Sequence, residues 1–546
     1  MLLNNVKVLR PKTTKIQKRN GIGYVYQVIG KSYKKDKKYT VENRKLIGKM
    51  IDEEWMVPNE YFEQYYPDVC VEQETPEFSD TLRIGCFLVV QKLFRDLQIE
   101  DVLSSIFGDL GLFIEDIVSY MITNESCTFQ YYSNFMRNHP VMDKNMRDDT
   151  QISRLLKYNI KEQDINLFLR AWNQMNNTKE CIYVGYDSTN FNTNAYGIEL
   201  ADYGHPKVDE GLPQYNLAYA VNQKDSTPLF YELYDGSVID NTELEIMLEE
   251  AKEFGHEKLG VLMDRGYISE KNIKALRTKG YEYILMMKQN QRICQEIIEE
   301  YGAAVQSLEG YYIGEHGVYG TTVKKQLYGQ ETNIHVYYDD IRASEEKVAL
   351  MSRYETWEKE IEKKVAKRIA TEGEMKKYRK VFKLKYDQNG YLVAYQRNSR
   401  YIKEEIRNLG FFFIITSEEM STSKALDIYR GRDNIEKMFR SLKSGIDFNK
   451  ARVHTTESLK SKVFVTFIAM IVRNELFQKA EELRKKNRKA YTVPGMISEL
   501  ENIECTRNSV GKYRRKYALT ANQKLILKQF DMDEKYIDRS IGEFSY

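Results

Sequence analysis

Apolar and polar positions alternate across Gly21-Ile-Gly-Tyr-Val-Tyr-Gln-Val-Ile-Gly30, and the run from Tyr39 to Ile47 can pair with it. A period of two marks a half-buried strand, so residues 1–80 read as a small β-rich segment. From about Asp80 to Asn177 the apolar positions instead recur every three to four residues, as in Phe87-Leu-Val-Val-Gln-Lys-Leu-Phe94 and Ile114–Met121, which predicts helices. Asp148-Asp149-Thr150, ahead of Ile152–Leu156, supplies an N-cap for one of them.

Between 180 and 290 the two periods interleave. Strands are predicted over Ile182–Asp187, Tyr215–Asn222 and Pro228–Tyr234 as an antiparallel meander. A helix over Asn241–Phe254 then leads to an almost wholly apolar strand, Leu259-Gly-Val-Leu-Met-Asp264, and a helix over Glu270–Thr278 leads to another, Tyr281–Met287. Three strands followed by helix–strand–helix–strand predict an α/β fold, a mixed sheet with helices on its faces. Residues 291–405 break the pattern with short strands (Asn333–Tyr338, Tyr391–Tyr395) and a charged helix near Ser344–Arg368, and read as an inserted strand/helix subdomain. The pattern resumes at Phe411–Thr416 and a long helix after Ser423. The expected division is thus 1–80, β-rich; 81–178, helical; 179–290, first part of the core; 291–405, insertion; 406–455, second part of the core; and 456–546, a helical carboxyl-terminal region.

A chain of 546 residues exceeds one compact core, in keeping with several domains. Its 82 basic and 80 acidic residues leave a net charge of +2, so total charge does not single out a nucleic-acid binder. Local basic runs occur at Lys34-Lys35 with Lys37-Lys38, Lys376–Lys385, Arg484–Lys489 and Lys512–Lys516. Each alone reads best as a solvated surface, while several on one chain favour a polyanionic partner. The six cysteines are scattered without a C-x-x-C pair, which argues against zinc and disulfides and fits a reducing cytosol. Met1–Arg19 lacks the apolar segment of a secretory signal, and Phe411–Ile415 and Val463–Val472 are too short to span a bilayer. A soluble cytoplasmic protein without a membrane partner is expected.

Candidate chemistry begins with two aspartates. Asp187 ends Tyr183-Val-Gly-Tyr-Asp187, where alternation sets Ile182, Val184 and Tyr186 on one face and Asp187 on the other. Asp264 stands at the carboxyl end of a buried strand, where open α/β sheets gather ligands. Either alone reads best as a turn or capping aspartate. The late helix is more specific. Tyr429, Arg432, Glu436 and Lys443 stand at i, i+3, i+7 and i+14. At about 100° per residue they fall within an arc of about 60°, a single stripe about 21 Å long. Ile428, Ile435, Met438, Phe439 and Leu442 occupy a neighbouring arc available to pack on the sheet, with Ser423 placed to cap the helix and Gly445 to end it. A mixed-charge exposed face is the plain alternative, and the spacing together with the two strand-borne aspartates favours a functional site.

Tyr429-x2-Arg432-x3-Glu436-x6-Lys443, following Tyr186-Asp187-Ser-Thr189 and Met263-Asp264-Arg-Gly-Tyr267, resembles the DDE transposases of insertion-sequence family four, in particular the long branch with an insertion before the catalytic Glu. The resemblance covers about 180–470. Leu212-Pro-Gln214 and Tyr234-Asp-Gly-Ser-Val-Ile-Asp-Asn241 are similar too, with Ser237 where an Asn often follows the Gly. It implies a ribonuclease H-like core in which Asp187, Asp264 and Glu436 are the catalytic, metal-holding carboxylates, and Tyr429, Arg432 and Lys443 bind DNA. It further implies a transposase that reads the terminal inverted repeats of an insertion sequence, for which the 81–178 helices are the candidate reader. Such an enzyme cuts and rejoins double-stranded DNA through a hairpin and works as a homodimer on the element ends and target, at the bacterial nucleoid.

The chemistry suits these residues. Two Mg²⁺ ions, with Mn²⁺ as a substitute, take oxygen ligands, and none of the six histidines lies near the three acids. Two other readings share the motifs: a two-metal DNA nuclease without strand transfer, and a non-catalytic DNA-binding protein derived from a transposase. Lesser candidates carry plainer alternatives. Trp357, Tyr395 or Phe411 would stack a flipped base or simply fill a core. Lys288 and Arg292 would touch DNA or sit in a solvated loop, and His454 would contact DNA or occupy a turn.

Overall fold

The computed structural model describes residues 6–19, 21–34, 39–67, 69, 72–73, 79–143, 145, 147–177, 181–204, 211–238, 240–256, 258–263, 268–307, 311–367, 373–486, 491–508 and 512–544. Asp264, Arg265, Gly266 and Tyr267 lie outside them, as do Lys35, Lys37, Lys38 and residues 487–490 of the basic runs. The chain forms two compact units, one of Met1–Phe168, Ala195–Glu199 and Arg440–Tyr546, the other of Leu169–Asn194 and Leu200–Phe439.

The second unit is built on a mixed sheet. In chain order its elements are β1 (Ile182–Asn192), β2 (Gln214–Asn222), β3 (Pro228–Asp235), α1 (Asp240–Glu253), β4 (Leu259–Met263), α2 (Glu270–Lys279), β5 (Glu282–Met286) and α3 (Arg292–Ser307). They continue with β6 (Tyr312–Ile313), β7 (Val318–Leu327), β8 (Gln330–Tyr338), α4 (Asp340–Lys367), β9 (Phe382–Tyr386), β10 (Leu392–Arg397), α5 (Ser399–Asn408), β11 (Phe411–Thr416), α6 (Thr422–Arg430) and α7 (Asp433–Arg440). The strand order is β3-β2-β1-β4-β5-β11-β8-β7-β6. β1, β2 and β3 form the antiparallel meander, while β4 runs parallel to both β1 and β5. An antiparallel triplet joined to two parallel strands is the ribonuclease H-like arrangement. Its cause is visible in the chain: a five-residue turn, 223–227, links β2 to β3, whereas α1 and α2 supply the crossovers that parallel strands require.

β1, β2 and β4 are almost wholly buried because both faces are covered. Beyond β5, β11 runs antiparallel and extends the sheet to the β7–β8 hairpin, so residues Tyr312–Tyr338 belong to this sheet. Residues 340–409 instead pack a core of their own around Leu350, Tyr354, Ile361, Tyr378 and Phe382.

In the first unit the two alternating runs near the amino terminus do pair, Ile22–Lys34 with Tyr39–Met50, within a six-stranded sheet. Asp148 caps its helix through a capping box, its side chain accepting from Gln151 N–H at 2.8 Å. The carboxyl-terminal region is helical, with one addition to the periodicity reading. Glu504–Arg507 and Tyr513–Arg515 are strands, and the former also pairs with Thr81–Arg83. Among the described residues, no helix is long and apolar enough to cross a membrane.

The largest departure from expectation concerns the late helix. One regular helix through Lys443 is not observed. Ser421, rather than Ser423, caps α6, which ends at Arg430. The chain then tightens through i→i+3 bonds across the joint and into the first turn of α7, Arg432 N–H to Tyr429 O and Ile435 N–H to Arg432 O, each at 3.0 Å. Gly431 lies so close to Gln223 that an added Cβ would meet its side chain at 2.0–2.5 Å. After α7, Ile446 N–H bonds Ser441 O at 3.1 Å, so Lys443 lies in a π turn, Ser441–Gly445. A wheel at 100° per residue therefore does not run from Tyr429 to Lys443.

Candidate active site

Asp187 lies near the middle of β1, half-buried, and its Oδ1 accepts the Ser188 N–H at 2.9 Å. Its face of the sheet follows from register. Residues two apart on a strand share a face, and so do directly paired residues on neighbouring strands. Asp187 therefore shares a face with Tyr183 and Gly185 on β1, with Tyr219 opposite it on β2, and with Leu262 on β4, which pairs with Gly185. Tyr183 and Leu262 pack in an apolar cluster with Ile284, Tyr337, Phe412, Ile414 and the α6 residues Leu426, Ile428 and Tyr429.

α7 continues across that same face. Ile435 sits above Gly185, where a Cβ added to the glycine would meet Ile435 at 4.0 Å. The Phe439 ring meets Tyr219 edge-on, with centroids 5.8 Å apart and planes at 89°. Tyr219 is fully buried, and burial pushes its phenol well above the ordinary value, keeping it neutral. Asn434 Nδ2 donates to Gln223 O at 3.3 Å, just past the end of β2. Glu436 thus stands between a residue placed over position 185 and one placed against the partner of Asp187. The helix that carries Glu436 lies over the sheet face on which Asp187 stands, although 249 positions separate the two acids (436 less 187).

Glu436 is half exposed, and Arg432 Nη2 donates to its Oε1 at 2.6 Å, the arginine being 17% exposed. Tyr429 is buried in the apolar cluster at the end of α6. Ile428, Ile435, Met438, Phe439 and Leu442 are all buried, as the apolar arc predicts. β4 ends at Met263, one residue before Asp264, and its last pair with β1 is Leu262 with Gly185, two residues before Asp187. Lys443 belongs to the first unit, where Arg473 fixes its turn. Arg473 Nε donates to Ser441 Oγ at 2.9 Å and Nη2 to Glu125 Oε1 at 2.6 Å, and its guanidinium occupies the space where a Cβ on Gly445 would stand.

Of the lesser candidates, Phe411 is buried in β11 against Tyr338, and Trp357 and Tyr395 pack against the 340–409 core. Arg292 is exposed and pairs with Glu296 on its own helix, and Lys288 is exposed. Three contributors were missed by sequence reasoning: Tyr219 and Phe439 as the contact that seats α7, and Gln223 as the residue that shapes the α6–α7 joint. No local pattern announces them, because cross-strand register decides their partners. Among the described residues, one cluster offers three potential metal-ligand atoms within 4.8 Å of one another, Glu315, His316 and Asp427. There His316 Nε2 already lies 2.7 Å from Asp427, and Arg430 Nη1 stands 3.0 Å from the other ring nitrogen.

Residues 184–472, more than half of the chain, match the family described as Transposase DDE domain. No curated protein matches the chain. A solved structure of the piggyBac transposase synaptic complex with hairpin DNA is similar over 80% of this chain and 75% of that one, at 8% identity and a TM-score of 0.34. The family match runs from within β1 through α7 and beyond, over more than half of the chain, and on that ground the chain belongs to the transposase DDE domain family.

Proposed function

We propose that this transposase binds the terminal inverted repeats of an insertion sequence and cleaves and rejoins DNA at a site built from Asp187, Asp264 and Glu436. The observation that supports this reading is the seating of α7, the helix that carries Glu436, across the sheet face of Asp187. Transposases of this family generally use divalent metal ions. The donor set fits such an ion: two carboxylates, one half-buried and one half-exposed, both supplying hard oxygen ligands. In this reading the three acids hold two Mg²⁺ ions, with Mn²⁺ as a substitute. When bound, the ions would neutralise charge on the attacked phosphate and activate the attacking water or 3′-hydroxyl.

The protein's own part is positioning. The attacking oxygen forms a new bond to phosphorus while the bond to the leaving 3′- or 5′-oxygen breaks, so the phosphate must be held in line. Arg432, already aimed at Glu436, offers a planar fork to a phosphate beside the acids. Lys443 would add a point charge, and Tyr429 a hydroxyl donor, on the non-transferred strand as a hairpin forms and reopens. The helices of 81–178 would read the element ends in a homodimer on DNA, in a bacterial cytoplasm.

The test is cleavage of a labelled element end in Mg²⁺. Asp187→Asn and Glu436→Gln should abolish cleavage while leaving end binding intact, and EDTA should do the same to the unmodified protein. A Glu436→Gln variant that cleaves normally overturns the assignment. Cleaved ends that never join a target would make the protein a nuclease of this fold, and end binding without any cleavage would make it a non-catalytic binder.

A further inference from the structure

The first unit contains a cavity of about 390 Å³ that the proposed chemistry does not use. It opens beside the start of α8 (Thr456–Lys486), and its size falls in the range of about 300–1,000 Å³ usual for small-molecule sites. Lys157, Arg452 and His454 stand exposed around it, while Leu156, Ser458 and Lys462 are buried.

Lys462 is the anomaly. It is only 2% exposed, yet its ammonium has no hydrogen-bond acceptor or ion-pair partner among the described residues. What it does meet is the face of Phe129, 4.7 Å from Nζ to the ring centroid. The nearby acid, Asp447, is taken up by Arg452, whose Nη2 donates to it at 3.0 Å. A lysine is almost never buried this deeply unless paired, because three donors lose their water. Burial pushes the Lys462 ammonium down to about 8, so near neutral pH it is still charged.

The surroundings supply what an anion needs. Lys157 lies in a π turn, Leu155–Asn159, and Arg452 adopts φ +54°, a left-handed conformation that a non-glycine residue keeps only when its surroundings impose it. Ser458, in the first turn of a 31-residue helix, adds a hydroxyl where the helix dipole also favours negative charge. Against three cationic side chains the cavity lining contains one carboxylate, the exposed Asp149.

We propose that this cavity is a phosphate-binding site in which Lys462 is the buried ligand and Lys157, Arg452 and Ser458 complete the shell, taking the phosphate of a nucleotide. That phosphate would come either from a free nucleotide or from a DNA backbone. The DNA source rests on the proposed function, and the free-nucleotide source does not. Lys462→Met, which keeps the length and removes the charge, is the decisive variant.

The full-length protein would be titrated calorimetrically with inorganic phosphate and with deoxyadenosine monophosphate, and by fluorescence anisotropy with duplex DNA over a salt series. The expected result is that at least one probe binds and that Lys462→Met weakens it at least tenfold, while the variant melts at the same or a higher temperature without ligand. If the monophosphate is lost and the DNA salt dependence is unchanged, the source is a free nucleotide. If the slope of log affinity against log salt falls by about one, the source is DNA. Binding of all three probes unaffected by Lys462→Met overturns the proposal, as does failure of the unmodified protein to bind any of them. None of these measurements reads cleavage, so Asp187→Asn and Glu436→Gln decide the proposed function separately.

Discussion

Arg432 offers the sharpest test of whether the α6–α7 region serves DNA or only its own stability. In the structure its guanidinium donates to Glu436 at 2.6 Å, with Glu436 half exposed. Exposed pairs of this kind contribute about 0.2–1 kcal/mol, because solvent screens them and two long side chains lose freedom. If the pair is all that Arg432 does, Arg432→Gln costs about 1 kcal/mol or less in urea unfolding and nothing else. A charged hydrogen bond to a phosphate is worth about 1.5–3 kcal/mol, which at 1.4 kcal/mol per tenfold is roughly a ten- to hundredfold change.

The expectation for Arg432→Gln is therefore a small stability change with a ten- to hundredfold loss in cleavage of a labelled element end. The slope of log affinity against log salt should also fall by about one. Arg432→Lys should recover the salt slope but only part of the cleavage, since a point charge cannot reproduce the fork. A variant that unfolds, binds and cleaves like the unmodified protein would show that Arg432 only balances Glu436.

Two further outcomes follow from packing and burial. Phe439→Ala removes the edge-on contact to Tyr219 and should cost about 3 kcal/mol in unfolding free energy; cleavage should fall further than the folded fraction, and normal turnover by the folded variant would remove Phe439 from any part in seating Glu436. Glu115, 1% exposed with no partner for Oε2 among the described residues, is raised to about 8 by burial and by the charges of Glu100 and Asp116. A raised carboxyl contributes stability that is fully present below its unfolded value near 4.5 and is lost as pH rises through about 8. Glu115→Gln should accordingly stay within about 1 kcal/mol of the unmodified protein at pH 5 and exceed it at pH 9 by up to about 5 kcal/mol, since each of the roughly 3.5 pH units between the two values costs the carboxylate up to about 1.4 kcal/mol. A difference independent of pH would refute it.

Local periodicity carried much of this protein. The β1–β3 meander, the two apolar strands β4 and β5 with their crossover helices, and the strand Phe411–Thr416 all follow from patterns a few residues long. Side chains two apart on a strand, or three and four apart on a helix, meet the same environment whatever lies beyond. The residue types of the candidate site were legible for the same reason, since Asp187 alternates out of an apolar strand and Glu436 borders an apolar arc. Tertiary structure alone decided how the elements that carry them pack. Gln223, from the end of β2, presses on Gly431 and divides the late helix, and Arg473 occupies the space beside Gly445 where the chain loosens into a π turn. Register between β1 and β2 placed Tyr219 beside Asp187 and so gave Phe439, and with it α7, a seat on that face. Those partners lie far away in sequence, and the hydrogen-bond spacing of a helix bends to whatever side chain is packed against it, which no periodic pattern encodes.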